Sequence, residues 1–167
     1  MGGRCRSAAA GRWADGFCEE TEKRCAAAVL KPMNKVLVAL QRTGLGMKEL
    51  PVLTVAGRRS GKPRSTPLSV LDHEGQRYLL EGFPGADWAR NVRAAQGRAT
   101  LATGRRREQV RLVELDPQAA LPVLRLWPVR LPDGAKIMAD AGVVEAVTPE
   151  AFEAVAGRCA VFRVEAG

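Results

Sequence analysis

Between two apolar, strand-like runs lies Gly57-Arg58-Arg59-Ser60-Gly61-Lys62-Pro63-Arg64-Ser65-Thr66-Pro67, and this stretch constrains the fold more than any other. Glycine at 57 and 61 admits positive φ or close approach to a ligand, and Pro63 stops a helix from starting. The flanking runs, Leu50 to Ala56 and Leu68 to Leu71, are therefore expected to be antiparallel strands. Gln76 to Glu81 follows as a third, after a turn at Asp72-His73-Glu74-Gly75. The cations of the stretch, Arg58, Arg59, Lys62 and Arg64, converge on whatever lies over the turn, which makes it an anion cradle.

Downstream, Gly82-Phe83-Pro84-Gly85-Ala86-Asp87-Trp88 is a second glycine-rich turn running straight into a short helix, whose free first-turn N–H groups can hold an anion or a carbonyl oxygen. Trp88 is expected to anchor that helix in the core. Arg98 to Ala102 and Glu108 to Leu115 predict a hairpin with Arg105, Arg106 and Arg107 at its solvated tip. Asp116-Pro117 predicts a helix through about residue 126, ended by Trp127-Pro128. Leu131-Pro132-Asp133-Gly134 reads as a turn, and residues 135–146 show no period. Thr148-Pro149 opens a last capped helix, and Cys159 to Val164 alternates as a last strand. The fold class is α+β, with about six mostly antiparallel strands and peripheral helices.

Residues 1–20 mix Gly, Arg, Ala and Ser without a period and read as a disordered basic extension; 21–167 reads as a single domain. Thr21 to Thr43 carries apolar residues at helical spacing, interrupted by Pro32. Its apolar face suits packing on a sheet, with weak contact to a membrane surface as the minor role. No run approaches the ~18 apolar residues of a membrane span, and the N-terminus has no continuous apolar signal region. The expected compartment is the cytoplasm, where the four cysteines, none in a C-x-x-C pair, stay free thiols.

A net charge of +8 admits nucleic acid, anionic lipid or a phosphorylated small molecule as partner. The scarcity of aromatics among the cations speaks against single-stranded nucleic acid, which needs stacking platforms. Walker A fails on Gly57 to Lys62: the loop is one residue short, Pro63 replaces the magnesium-binding hydroxyl, and a strand follows. Ser60 has no base beside it and suits hydrogen-bond donation better than nucleophilic attack. His73 sits in a turn and is not expected to act as a base. With no metal triad or paired-carboxylate site, the chemistry is expected to come from a bound cofactor.

The two turns together, L-T-V-A-G-R-R-S-G-K-P-R-S-T-P-L-S at Leu53 to Ser69 and G-F-P-G-A-D-W-A-R-N-V-R-A at Gly82 to Ala94, resemble the deazaflavin-dependent nitroreductase family of actinobacteria. The resemblance implies a split β-barrel, of the kind that also holds FMN, binding reduced coenzyme F420, a deazaflavin with a phosphate and an oligoglutamate tail. It implies that Arg58, Arg59, Ser60, Gly61 and Arg64 contact the phosphate and that Thr66, Pro67 and Ser69 lie beside the ring. Gly85, Ala86, Asp87 and Trp88 would wall the ring's other side, and Ser69 would assist protonation as the candidate catalytic residue. The implied reaction is hydride transfer to a small electron-poor acceptor such as a quinone, enone or nitroaromatic, with a homodimer as the assembly by analogy. FMN is the alternative cofactor; a non-enzymatic cofactor or lipid carrier, or a nucleic-acid module, is the alternative function. The chain departs from the family pattern at Glu81, where a lysine precedes the glycine turn, and in having Tyr78 as its one tyrosine.

Overall fold

A computed structural model describes residues 50–167. The expected basic extension, the helix over 21–43 and three of the four cysteines lie outside the described residues. Seven strands form one antiparallel sheet: β1 Val52–Ala56, β2 Pro63–Pro67, β3 Val70–His73, β4 Gln76–Leu80, β5 Arg98–Thr103, β6 Arg106–Glu114 and β7 Val161–Ala166. The order across the sheet is β2-β1-β5-β6-β7-β4-β3.

That order places β2 and β3 on opposite edges, yet only Leu68 and Ser69 separate them in sequence. From Pro67 to Val70 the chain spans about 10 Å at full stretch, whereas the outer strands of a flat seven-stranded sheet stand about 29 Å apart. The sheet must therefore curl until its edges approach, and the result is an open half-barrel whose seam runs past Ser69.

The expected meander of three strands is corrected here. Half of the basic stretch is itself a strand, β2, so the count is seven, and the turn shrinks to residues 57–62. Pro63 and Pro67 hid it, because proline is foreign to central strands; β2 is an edge strand, where proline is tolerated.

The described residues form four helices, α1 Asp87–Ala94, α2 Pro117–Arg130, α3 Pro132–Asp140 and α4 Pro149–Glu153; α1 and α2 lie against the sheet, and α3 and α4 pack against α2. Two observations revise the sequence reading. Helix α2 continues through Pro122 and Pro128 to Arg130, because Ala120, Val123, Leu124, Trp127 and Pro128 are buried and tertiary packing outweighs the lost backbone bonds. The expected turn at 131–134 is instead the start of α3, with Pro132 at the first helical position, where its missing N–H costs nothing.

Strands β4 and β7 are walls shared by two cores. Leu79 and Phe162 face a cluster with Leu53, Trp88 and Val92 under α1, while their neighbours Leu80 and Val161 face another with Leu124, Trp127 and Phe152 under α2, α3 and α4. Trp88 is buried and its ring centroid lies 5.4 Å from that of Phe162. Each such fully buried large side chain contributes roughly 1.5–3 kcal/mol.

Candidate functional site

The basic turn closes through two backbone bonds, Gly57 N–H to the Lys62 carbonyl at 2.9 Å and Gly61 N–H to the Gly57 carbonyl at 2.7 Å. Space is tight at Gly57: a Cβ there would lie 3.1 Å from the Lys62 oxygen and 3.3 Å from Arg64 Cγ, so a larger residue would push on the turn's own backbone. At 61 glycine is required for its φ of 65°.

The four cations do not share one role. Arg58 is a strut. Its backbone N–H and Nη1 both donate to Asn91 Oδ1 at 3.1 Å, and its Nη2 donates to Asp87 Oδ1 at 2.9 Å, so it ties the turn to α1. Arg59, Lys62 and Arg64 are exposed, and their charged side chains make no hydrogen bond or ion pair among the described residues. Ser60, also exposed, keeps its hydroxyl available beside them.

Pairing register sorts the rest of β2. Arg64 and Thr66 stand opposite Val55 and Leu53 and share their core-side face; Ser65 and Pro67 stand opposite Thr54 and Val52 on the other. The Thr54 and Ser65 hydroxyl oxygens, 2.9 Å apart, lie on that second face. Thr66 thus shares a side with Arg64, and Pro67 does not. Ser69 follows in the seam.

The second turn is shaped by Glu81, 2% exposed. Its Oε1 accepts the Ala86 N–H at 2.7 Å and its Oε2 the Ala160 N–H at 3.3 Å, with Arg93 Nη2 3.6 Å away. One buried carboxylate thereby fixes both the turn and the approach to β7. The Ala86 N–H is consequently engaged, while Ala86 as N-cap offers no side chain to the first-turn N–H groups of Asp87 and Trp88. Gly85 takes the positive φ of 74° that the turn needs. Arg93 also donates twice to Glu114 at 2.7 Å, and these bonds, with Glu81, hold its guanidinium above the usual arginine range. Burial, with the Glu81 charge adding to it, pushes the Cys159 thiol up to about 11.

Helix α3, unreadable as a period, walls the seam. A Cβ at Gly134 would lie 3.6 Å from Ser69 Oγ and 3.9 Å from Trp127 Nε1; four residues on, Met138 Cγ lies 3.7 Å from where Gly82 would carry one. Trp127 is 3% exposed and its indole N–H finds no acceptor among the described residues. Ser69 and Trp127 therefore present two donors to one small corner at Gly134.

Asn91, Glu81, Trp127 and α3 are the parts that sequence reasoning missed. The available signals were a polar residue on the apolar stripe of Trp88 and Val92, and a carboxylate directly after the buried pair Leu79-Leu80. His73 ends β3 half-buried, its Nε2 3.8 Å from Glu74 Oε1. No helix among the described residues is long and apolar enough to cross a membrane.

A family model described as F420H(2)-dependent quinone reductase matches residues 32–130, a span that includes both turns. Among solved structures, a domain-swapped dimer is 21% identical over 84% of this chain and 98% of its own, with a TM-score of 0.51. An F420-H2 dependent reductase is 21% identical over 69% of this chain and 92% of its own, at 0.48. A FAD-binding protein from Mesorhizobium loti is 18% identical over 77% and 89%, at 0.46. No curated protein matches the chain. The α+β split-barrel class expected from the sequence stands, and the chain belongs to the F420H(2)-dependent quinone reductase family.

Proposed function

We propose that the basic turn and the seam beside it are the two halves of one reductase site: Arg59, Ser60, Gly61 and Arg64 hold the phosphate end of coenzyme F420, and the acceptor meets its ring near Ser69. The observation that carries this is the division of labour among the cations. Arg58 is consumed in fixing the turn to α1, while Arg59, Lys62 and Arg64 stay unpartnered on it. Convergent guanidinium groups left unpaired fit a phosphate with carboxylates behind it.

When bound, the reduced deazaflavin supplies a hydride. The chain's own residues do the rest. Thr66, on the same face as Arg64, lines the approach from phosphate to ring, and Gly85 to Trp88 wall the far side with the open N–H groups at the start of α1. Ser69 Oγ and Trp127 Nε1–H donate to the acceptor oxygen on which negative charge develops, and that oxygen takes its proton from Ser69 or from water at the open seam. This corner favours quinones, enones and nitroaromatics, whose oxygens accept hydrogen bonds. Pairing of two chains belongs to the same reading, since one solved neighbour is a domain-swapped dimer.

Titration of the pure protein with oxidised F420 should change the deazaflavin fluorescence at micromolar protein. Arg64→Ala should weaken that binding about tenfold or more, since a charge-assisted contact is worth roughly 1.5–3 kcal/mol. An unresponsive titration overturns the proposal, and a stronger response to FMN reassigns the cofactor.

A further inference from the structure

We infer that Gln96, Arg98 and Arg111 form a second ligand site, separate from the basic turn, that takes a soluble phosphate monoester. The inference stands independently of the F420 reading.

Strand pairing sets Arg98 directly opposite Arg111 across β5 and β6, with their Cα atoms about 5 Å apart. Like charges facing each other on one side of a sheet are destabilising, and neither guanidinium has a hydrogen bond or ion pair among the described residues. Glu165 pairs with Arg111 in register from β7, but its carboxylate accepts both bonds from Arg163. Elsewhere the sheet matches arginine to glutamate, as in Arg77 with Glu108 and Arg93 with Glu114. A phosphate dianion seated between Arg98 and Arg111 supplies the missing countercharge.

Around the pair the surface is concave. A groove of about 580 Å³ is lined by Gln96, Arg98 and Arg111, and a neighbouring one of about 340 Å³ shares Gln96 and Arg111 and continues over Gly97 and Val113. The first alone has the size of a small-molecule site, roughly 300–1,000 Å³, so the phosphate carries a body. The end of α1 does not oppose an anion here, because the Val92, Arg93 and Ala95 carbonyls accept the N–H groups of Gly97, Gln96 and Arg98. Gln96 is held at a φ of 54°, which strains any residue but glycine, and its side-chain amide is unpartnered among the described residues. What glutamine brings in return is a donor and an acceptor beside the two cations.

The site stands apart from the basic turn. Arg98 shares the sheet face of Thr100 and Thr54, whereas Arg64 lies on the opposite face, and no residue of 57–67 lines either groove. None of the exposed large hydrophobic residues, Phe83, Val129 and Ile137 among them, lines it either. Nothing there would enter a lipid surface, which favours a soluble ester over a lipid headgroup.

Isothermal titration calorimetry at fixed ionic strength, with glycerol 3-phosphate, glucose 6-phosphate and a nucleoside 5′-monophosphate, tests the site. At least one ester should bind the unaltered protein more tightly than inorganic phosphate does. Arg98→Gln/Arg111→Gln should lose about tenfold or more in that affinity, while its melting temperature in ester-free buffer holds or rises, because the repulsion is removed. Arg59→Gln/Arg64→Gln, with the same net charge, should bind the ester as the unaltered protein does. Gln96→Gly should melt higher and hold the ester less tightly. The site is overturned if no ester binds at millimolar concentration, if inorganic phosphate binds equally well, or if the turn variant is the one that loses the ester. A lower melting temperature in Arg98→Gln/Arg111→Gln assigns the arginines to the fold and overturns it too. F420 should titrate that variant and the unaltered protein alike; a weaker response in the variant makes the groove part of the cofactor site and overturns it as a separate one. Binding to phosphatidic acid vesicles, with no soluble ester bound, overturns the soluble ligand.

Discussion

Asn91 Oδ1 accepts both the backbone N–H and the Nη1 of Arg58, each at 3.1 Å, so one amide, 5% exposed, joins the basic turn to the middle of α1. The turn's conformation is therefore set by a residue that carries no charge and lies 33 positions away in sequence. Asn91→Leu keeps the volume but leaves the Arg58 N–H without an acceptor. It should destabilise the protein by about 1–3 kcal/mol, and it should weaken cofactor binding although no cation is lost. Asn91→Asp, which preserves the acceptor, should restore most of the binding. Thermal melts with parallel F420 titrations check this, and full affinity in Asn91→Leu contradicts it.

Glu81 supplies the corresponding anchor for the second turn. In Glu81→Gln one oxygen is exchanged for a donor, so the amide satisfies either Ala86 N–H or Ala160 N–H but not both. The expected cost is about 1–3 kcal/mol, with faster hydrogen exchange at the Ala86 or the Ala160 amide. Protection unchanged at both amides argues that the carboxylate does not hold the turn.

These two residues also mark the limit of what the sequence discloses. The basic turn is legible because glycine, proline and unpaired arginines are local signals, and β1, β4, β5, β6 and β7 follow from alternation. Helix α1 follows from the glycine turn before it. By contrast, Glu81 finds its Ala160 partner 79 residues away, and no local pattern encodes that bond. Prolines misdirect the reading three times. Pro63 and Pro67 conceal an edge strand, Pro128 lies inside α2 and does not end it, and Pro132 begins α3. Ser69 could be picked by resemblance, but the corner it shares with Trp127 and Gly134 arises only when the sheet curls.

Acid sensitivity should centre on Arg77 and Glu108, which form an ion pair between β4 and β6. The hydrogen bond from Arg77 holds the Glu108 carboxyl below the usual carboxylate range. A depressed folded-state value stabilises above the unfolded value of about 4.3 and is lost as pH falls through the folded one. Melting temperatures measured between about pH 5 and pH 2 should therefore fall less steeply in Glu108→Gln than in the unaltered protein. Identical slopes contradict the assignment.

Cys159 should be inert while the chain is folded. It is 1% exposed, and with its thiol pushed up to about 11 only about one molecule in ten thousand is thiolate at neutral pH. Iodoacetamide at pH 7.5 should leave the Cys159 peptide unmodified by mass spectrometry until denaturant is added. Labelling at the rate of a free thiol in the native protein contradicts this.

The acceptor corner gives the sharpest separation of acceptor binding from cofactor binding. A buried indole N–H without an acceptor costs stability, and Trp127 bears that cost facing the same point as Ser69 Oγ. Gly134→Leu projects a side chain into that point, and since leucine is the better helix former by roughly 0.5–1 kcal/mol, α3 itself is not weakened. The variant should keep its F420 affinity while the KM for a small quinone rises about tenfold. Trp127→Phe retains the bulk and deletes the donor, and Ser69→Ala deletes the hydroxyl; each should lower kcat/KM by roughly fivefold to tenfold, as loss of one hydrogen bond of about 1–1.5 kcal/mol implies. If all three variants reduce the quinone as the unaltered enzyme does, the acceptor lies elsewhere along the seam.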